Sequence, residues 1–267
     1  MLKPDTIQAL ARQLYAARKT RVPLRYFSAQ HPGMTVEDGY AIQRAWVALE
    51  LADGRVIKGR KIGLTLRAMQ LCRQISEPDY APLMDDMFFD AGTDSPINRF
   101  IAPRVEVELA FILGRPLQGP GVTLFDVLSA TDCVAPAIEI IDARIEQVDR
   151  DSNTMRKVFD TISDFVANAG IVLGDRPVRP INVDLRWVGE MLHKNGVIEE
   201  TGLAAAVLNH PANGVAWLAN KTAPHGEQLN PGDVVLAGSF TRATLAVVGD
   251  NFRIDHGLLG AVSFRFV

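Results

Sequence analysis

The segment RVEVELAFIL (104–113) constrains this chain most. Its β-branched and aromatic content is that of a strand, and its nearly continuous apolar run belongs in a core. It nonetheless carries two carboxylates. Side chains alternate along a strand, so Glu106 and Glu108 share one face while Val105, Val107 and Leu109 take the other. At about 3.3 Å rise per residue, the α-carbons of the two acids stand roughly 6.5–7 Å apart. A solvated sheet face is the ordinary explanation. Ala110 and Ile112 continue the acid-bearing face, however, and neither suits water. A second apolar run, APAIEIID (135–142), sets Glu139 between isoleucines. Buried charges demand partners, and like charges repel. Either each glutamate meets its own Arg or Lys, or one cation holds all three. Mg²⁺ takes oxygen ligands and Mn²⁺ suits similar ones. Three carboxylates would leave about three of roughly six coordination positions open, which makes a Lewis-acid site for a chelating oxyanion.

The rest of the chain predicts an α+β fold. Ile7, Leu10, Leu14 and Ala17 recur at helical spacing, and a second helix starts at Thr35, a capping residue, and stops at Gly54. Residues 1–60 therefore read as a helical N-terminal portion, and 61–267 as a β-rich, metal-binding catalytic domain. VIKGRKIGLT (56–65) reads as strand and turn, LRAMQLCRQI (66–75) as a short helix, and 76–100 as a long irregular segment whose Tyr80, Leu83, Met84 and Met87 make an ordered loop. Strands follow at 105–113, 135–141 and 168–174, a hairpin about Asn195-Gly196 within 185–202, and strands at 233–241, 243–248 and 260–267. Short helices are expected at 123–131 and 211–223.

Composition removes several function classes. A net charge of −3 and no basic footprint argue against nucleic acid. No apolar run approaches the roughly 20 residues that span a bilayer, and MLKPDTIQAL lacks the pattern of a signal peptide. Cys72 and Cys133 form no CxxC pair, suit a reducing cytoplasm, and read as buried small apolar residues. None of the five histidines sits in a ligand-like pair, and His210 in NHPANG reads as a helix-start residue. No glycine fingerprint follows a strand and opens a helix, and no GxSxG elbow occurs, so neither a dinucleotide nor a serine nucleophile is indicated.

Eight stretches in order resemble one family: KGRKIGLT, QISEPDYAPLMDDMFF, RFIAPRVEVELAF, AIEIIDAR, KVFDTISD, NGVIEETG, VLNHPANGVAWLANK and GSFTR. The chain resembles the fumarylacetoacetate hydrolase superfamily, in its hydratase and decarboxylase branch, and is similar to the bacterial hydratases of aromatic meta-cleavage and homoprotocatechuate degradation. The resemblance implies a β-roll with a helical N-terminal portion packed on it, a cytoplasmic homo-oligomer, and Mg²⁺ or Mn²⁺ on Glu106, Glu108 and Glu139. It implies a small 2-oxo dicarboxylate substrate: 2-oxo-hept-3-ene-1,7-dioate, hydrated through its 2-hydroxydiene tautomer to 4-hydroxy-2-oxoheptane-1,7-dioate. A decarboxylase of a 2-oxo-3-enedioate, or a non-catalytic partner subunit of one, is the alternative.

Lys61 matches the lysine that the family keeps beside the substrate. It is either a proton carrier, with its pKa lowered by the cation, or a counter-ion for the glutamates. Asp79 in SEPDY matches an acid on the loop covering the site, to orient or deprotonate water, or it caps a loop. Ser239 and Thr241 can hydrogen-bond the chelated end, or serve turn chemistry. Relatives often carry Asn after the TISD aspartate, where this chain has Phe165 after Asp164, so Asp164 is not assigned a catalytic role. Hydrolytic relatives use a His–Glu pair that is missing around Lys61. Arg60, Arg67, Arg104 and Arg144 all remain open as partners of the distal carboxylate.

Overall fold

The computed structural model describes residues 1–73, 75–151 and 153–267. The N-terminal helices are α1 (Pro4–Thr20), the single turn α2 (Phe27–Gln30) and α3 (Val36–Ala52). Leu10, Leu14 and Ala17 of α1 are buried, with Ile7 half-buried, as the spacing predicts. The Thr35 side chain accepts from the Asp38 amide while the Asp38 carboxylate accepts from the Thr35 amide, so two orphan donors of α3 are satisfied reciprocally. Gly54 follows at a positive φ of 86°.

Then come β1 (Ile57–Gly63), α4 (Arg67–Arg73), β2 (Asp79–Met84), β3 (Phe88–Phe89), β4 (Asp94–Ser95), β5 (Arg104–Leu113), α5 (Leu124–Ala130), β6 (Thr131–Ile141), α6 (Val158–Ser163) and β7 (Asn168–Leu173). The chain continues through β8 (Gly189–Lys194), β9 (Val197–Leu203), α7 (Pro211–Thr222), β10 (Val234–Leu236), β11 (Thr244–Leu245), β12 (Asn251–Asp255) and β13 (Ala261–Phe266). One mixed sheet runs β2-β1-β10-β5-β6-β7-β3, with β11 also on β5; a second runs β4-β13-β12-β8-β9. The outcome is α+β, helices against curled mixed sheets. Residue 60 lies inside β1, which pairs with both β2 and β10.

Segment 76–100 differs from the irregular loop expected. It contains β2, antiparallel to β1, β3, parallel to β7, and β4, parallel to β13. All six residues of β2 are buried, so no polar–apolar alternation marks it, and Pro82 argues locally against a strand. The expected strand at 243–248 shrinks to the two residues of β11, and that at 233–241 to the three of β10, where Gly238 turns the backbone at φ +119°. The structure adds a strand, β12, of five residues and a helix, α6, of six to the elements expected. The Asn195-Gly196 hairpin joins β8 to β9, both turn residues at positive φ. His210 caps α7 through Nδ1, which accepts from the Ala212 amide.

Asp164, just after α6, fastens the segment that follows β6. Its carboxylate accepts from Arg144 Nε at 2.6 Å, Arg156 Nη1 at 3.1 Å, and the amides of Arg144 and Ile145, all buried. Phe165 next to it stacks on Trp46 with ring centroids 3.7 Å apart. The TISD aspartate is thus structural here. Replacing it strands two buried guanidinium groups, and Asp164→Ala is expected to lower unfolding stability by about 3–5 kcal/mol, read from urea denaturation.

Candidate active site

The register of β5 against β6 builds the site. Glu106 pairs directly with Glu139, and Glu108 with Ala137, so all three acids rise from neighbouring strands. A cavity of about 460 Å³ opens over them. Lys61, Asp79, Glu106, Glu108, Ser239 and Thr241 line it, while Glu139 lies fully buried behind Lys61. The structure therefore brings together every site residue chosen from the sequence, from β1, β2, β5, β6 and the 237–243 segment.

Lys61 Nζ donates to Glu139 Oε1 at 2.7 Å, to Oε2 at 2.9 Å, and to the Val166 carbonyl at 3.2 Å. That carbonyl is presented by three successive left-handed residues, Phe165, Val166 and Ala167. Val166 is β-branched, so positive φ is costly there, a strain typical of functional segments. Asn168 Nδ2 adds a 2.7 Å hydrogen bond to Glu139 Oε1. With about four lone-pair directions on a carboxylate, these three hydrogen bonds, two from Lys61 and one from Asn168, leave Glu139 room for one more. Burial pushes the Lys61 ammonium down, but Glu139 and Glu106 outweigh it and leave its pKa raised. The lowered value expected beside a cation is not what the protein groups alone produce.

Glu108 Oε2 accepts from the Gly238 amide at 2.7 Å. Residue 238 must be glycine: a Cβ there would stand 2.2 Å from Thr65 Oγ1, at a φ that side chains resist. Glu106 makes no hydrogen bond among the described residues. Burial holds Glu106 up to about 7 and Glu108 well above the ordinary range, Glu139 adding repulsion and Lys61 opposing both. As placed, no three His, Cys, Asp or Glu side chains among the described residues form a group that encloses an ion. What the acids supply is an oxygen-only donor set with excess negative charge at one cavity wall. That donor chemistry fits a hard divalent cation.

Asp79 is buried, and among the described residues neither of its oxygens has a hydrogen-bond partner. Burial raises it to about 6, against the pull of Lys61. Gly63 allows this placement, since a Cβ there would stand 2.3 Å from Asp79 Oδ1. The Thr241 hydroxyl is likewise buried and unpartnered, whereas Ser239 Oγ spans its own turn, donating to the Thr241 carbonyl and accepting from the Thr241 amide. Of the four arginines open for a distal carboxylate, only Arg104 lines the cavity. Arg60 is bound to Glu227 and Arg144 to Asp164, and Arg67 is exposed on α4.

The chain is similar to known enzymes over its whole length. The 2-oxo-hept-4-ene-1,7-dioate hydratase of Escherichia coli is 57% identical over 267 residues, covering 100% of both chains. The 2-hydroxyhexa-2,4-dienoate hydratase of Comamonas testosteroni is 36% identical over 97% of each. The 4-oxalocrotonate decarboxylase of Pseudomonas putida G7, solved with magnesium and adipate, superposes with a TM-score of 0.94 at 32% identity, over 100% of this chain and 99% of its own. No family model matches the sequence.

The chain belongs to the hydratase and decarboxylase branch of the fumarylacetoacetate hydrolase superfamily. This superfamily member also uses residues that sequence reasoning passed over. Asn168 and the Gly238 amide, which orient two of the glutamates, carried no local signal beyond an apolar strand and a turn. His256 was set aside with the other histidines. It is buried, and its Nε2 donates to the Glu108 carbonyl at 3.2 Å while standing 3.5 Å from Glu190 Oε2. Burial holds His256 neutral down to about 4 and holds Glu190 protonated up to about 9. The pair therefore backs β5 as two neutral groups.

This has a measurable consequence. The native state keeps the Glu190 proton up to about 9, whereas an ordinary glutamate loses it near 4.5, so this group's contribution to stability is lost as pH rises between those values. Glu190→Gln keeps the neutral shape. It is expected to flatten that decline, with urea midpoints measured at the two ends of the range.

Proposed function

We propose that the protein is a divalent-metal-dependent hydro-lyase of aromatic catabolism that hydrates a seven-carbon 2-oxo-alkenedioate to 4-hydroxy-2-oxoheptane-1,7-dioate. The observation that carries this reading is the full-length, 57% identity to the E. coli hydratase, well above the 32% to the decarboxylase. That relative's name puts the alkene at C4, whereas the sequence reading put it at C3. Both are keto forms of one 2-hydroxydiene, protonated at C3 or at C5; the C3 enone is the form whose C4 accepts water, so a substrate named as the 4-ene reaches it through the dienol.

Glu106, Glu108 and Glu139 would hold the cation, and Mg²⁺ is our choice of ion, with Mn²⁺ close in ligand preference. When bound, it supplies positive charge against the 2-oxygen of the substrate. The protein's own groups do the rest. Lys61, its three N–H groups taken by both oxygens of Glu139 and the Val166 carbonyl, is the counter-ion of the glutamates at the cavity wall. Asp79, unpartnered and near neutral in pKa, orients the attacking water and takes its proton. The Thr241 hydroxyl is available to the keto-acid end, with Ser239 shaping its turn. A cytoplasmic homo-oligomer is part of the same proposal: both cysteines are free thiols, and the outer strand β9 exposes Val197 and Ile198 at an open sheet edge.

Chelation is expected to abolish turnover of 2-hydroxyhepta-2,4-diene-1,7-dioate, with activity returning on addition of Mg²⁺. Glu106→Gln or Glu108→Gln should weaken Mg²⁺ binding at least about tenfold by calorimetry. Carbon dioxide release during loss of dienol absorbance would make the protein a decarboxylase; neither Mg²⁺ binding nor turnover would leave only the partner-subunit role. For Asp79 acting as a base, kcat/KM is expected to rise with pH through about 6, the value of its buried carboxyl. Asp79→Asn should lose that limb and about 10²–10⁴ in rate.

A further inference from the structure

A seven-carbon diacid brings a second carboxylate into the cavity, and a carboxylate leaving water needs a cation to meet it. Four cations line that cavity: Lys61, Arg104, Arg156 and Arg242. Three are committed. Lys61 is bonded to both oxygens of Glu139. Arg156 is buried, with Nη1 shared between Asp164 and the Ile145 carbonyl. Arg242 stands at the rim, 84% exposed, paired with Glu200 at 2.7 Å. Arg104 alone among these has neither an ion pair nor a side-chain hydrogen bond among the described residues.

Its position suits the task. Arg104 opens β5, and strand alternation puts its side chain on the face that carries Glu106 and Glu108. Its α-carbon lies roughly 6.5 Å from that of Glu106 and roughly 13 Å from that of Glu108, at about 3.3 Å rise per residue. A substrate held by its keto-acid end at the glutamates therefore runs along β5 towards the guanidinium. Ile141, opposite Arg104 in the β5–β6 ladder, and Val158 line the same cavity and offer apolar wall to the intervening methylenes. A half-buried guanidinium with its fork unspent is the group that binds a carboxylate through two parallel hydrogen bonds.

We infer that Arg104 binds the distal carboxylate of the substrate and so sets the preference for a 2-oxo diacid over a 2-oxo monoacid. The inference rests on the hydratase reading above and adds to it the residue that selects the substrate class. Arg104 reaches only the far end of the chain, so it is a specificity determinant and takes no part in proton transfer.

The test measures binding of two saturated analogues, 2-oxoheptanedioate and 2-oxoheptanoate, to the Mg²⁺-loaded protein by calorimetry. The wild type is expected to bind the diacid more tightly. Arg104→Met should lower the diacid-to-monoacid affinity ratio roughly ten- to a hundredfold, the range for a charge-assisted hydrogen-bonded pair. Arg104→Lys should restore part of the ratio, because the charge returns without the fork. An Arg104→Met protein that keeps the wild-type ratio, or an Arg242→Ala protein that loses it while Arg104→Met does not, overturns the assignment and leaves the hydratase reading standing. A wild type that binds neither analogue overturns both. If Arg104→Met does not fold, the Arg104→Lys ratio decides: an undiminished preference counts against the bidentate contact.

Discussion

Glu106 facing Glu139 across the β5–β6 ladder is the contact on which the cavity depends. The pairing is specified from the other side of the sheet. Val105, Val107, Ile138 and Ile140 are buried in one apolar cluster with β12 and β13 residues, and a slip of one residue would turn them out of it. Hydrophobic packing on one face thereby holds mutually repelling acids together on the opposite face. The acids could not choose this register for themselves, because their repulsion opposes it.

The repulsion is contained by a small set of neighbours. Lys61 offsets one charge, Asn168 and the Gly238 amide each donate to a carboxylate, and the remaining charge appears as raised pKa values on Glu106 and Glu108. Beneath β5, His256 and Glu190 are both neutral near pH 7 and add no charge, and Arg144 and Arg156 are turned to Asp164. Such a site is electrostatically unfinished, and a cation relieves it. The strained turn at Phe165–Ala167 belongs to the same economy, since it points a carbonyl at the third donor of Lys61.

Much of this was legible one residue at a time. The two-residue period of RVEVELAFIL placed Glu106 and Glu108 on one face, the apolar flanks of Glu139 signalled a buried acid, and Thr35, Asn195-Gly196 and His210 marked a cap, a turn and a helix start. These are local signals, read within one element. β2 shows no alternation because both of its faces are buried, whereas β12 does alternate, Phe252 and Ile254 inward, over only five residues. The arginines could not be sorted by sequence, since what separates them is pairing: Arg60 is bound to Glu227 and Arg144 to Asp164, while Arg104 has no bonded carboxylate among the described residues.

The sequence by itself determined the α+β class, the acidic strand pair, the family and the chemistry that three carboxylates and a lysine can serve. Only the tertiary structure decided which partners finish each group: Lys61 on Glu139, an unpartnered Asp79 behind Gly63, and an uncommitted Arg104 at the end of β5. The reason is physical. Residue type and periodicity are properties of a short stretch of chain, whereas desolvation and ion pairing depend on groups that sequence separation leaves unrelated and that only packing brings within a few ångströms.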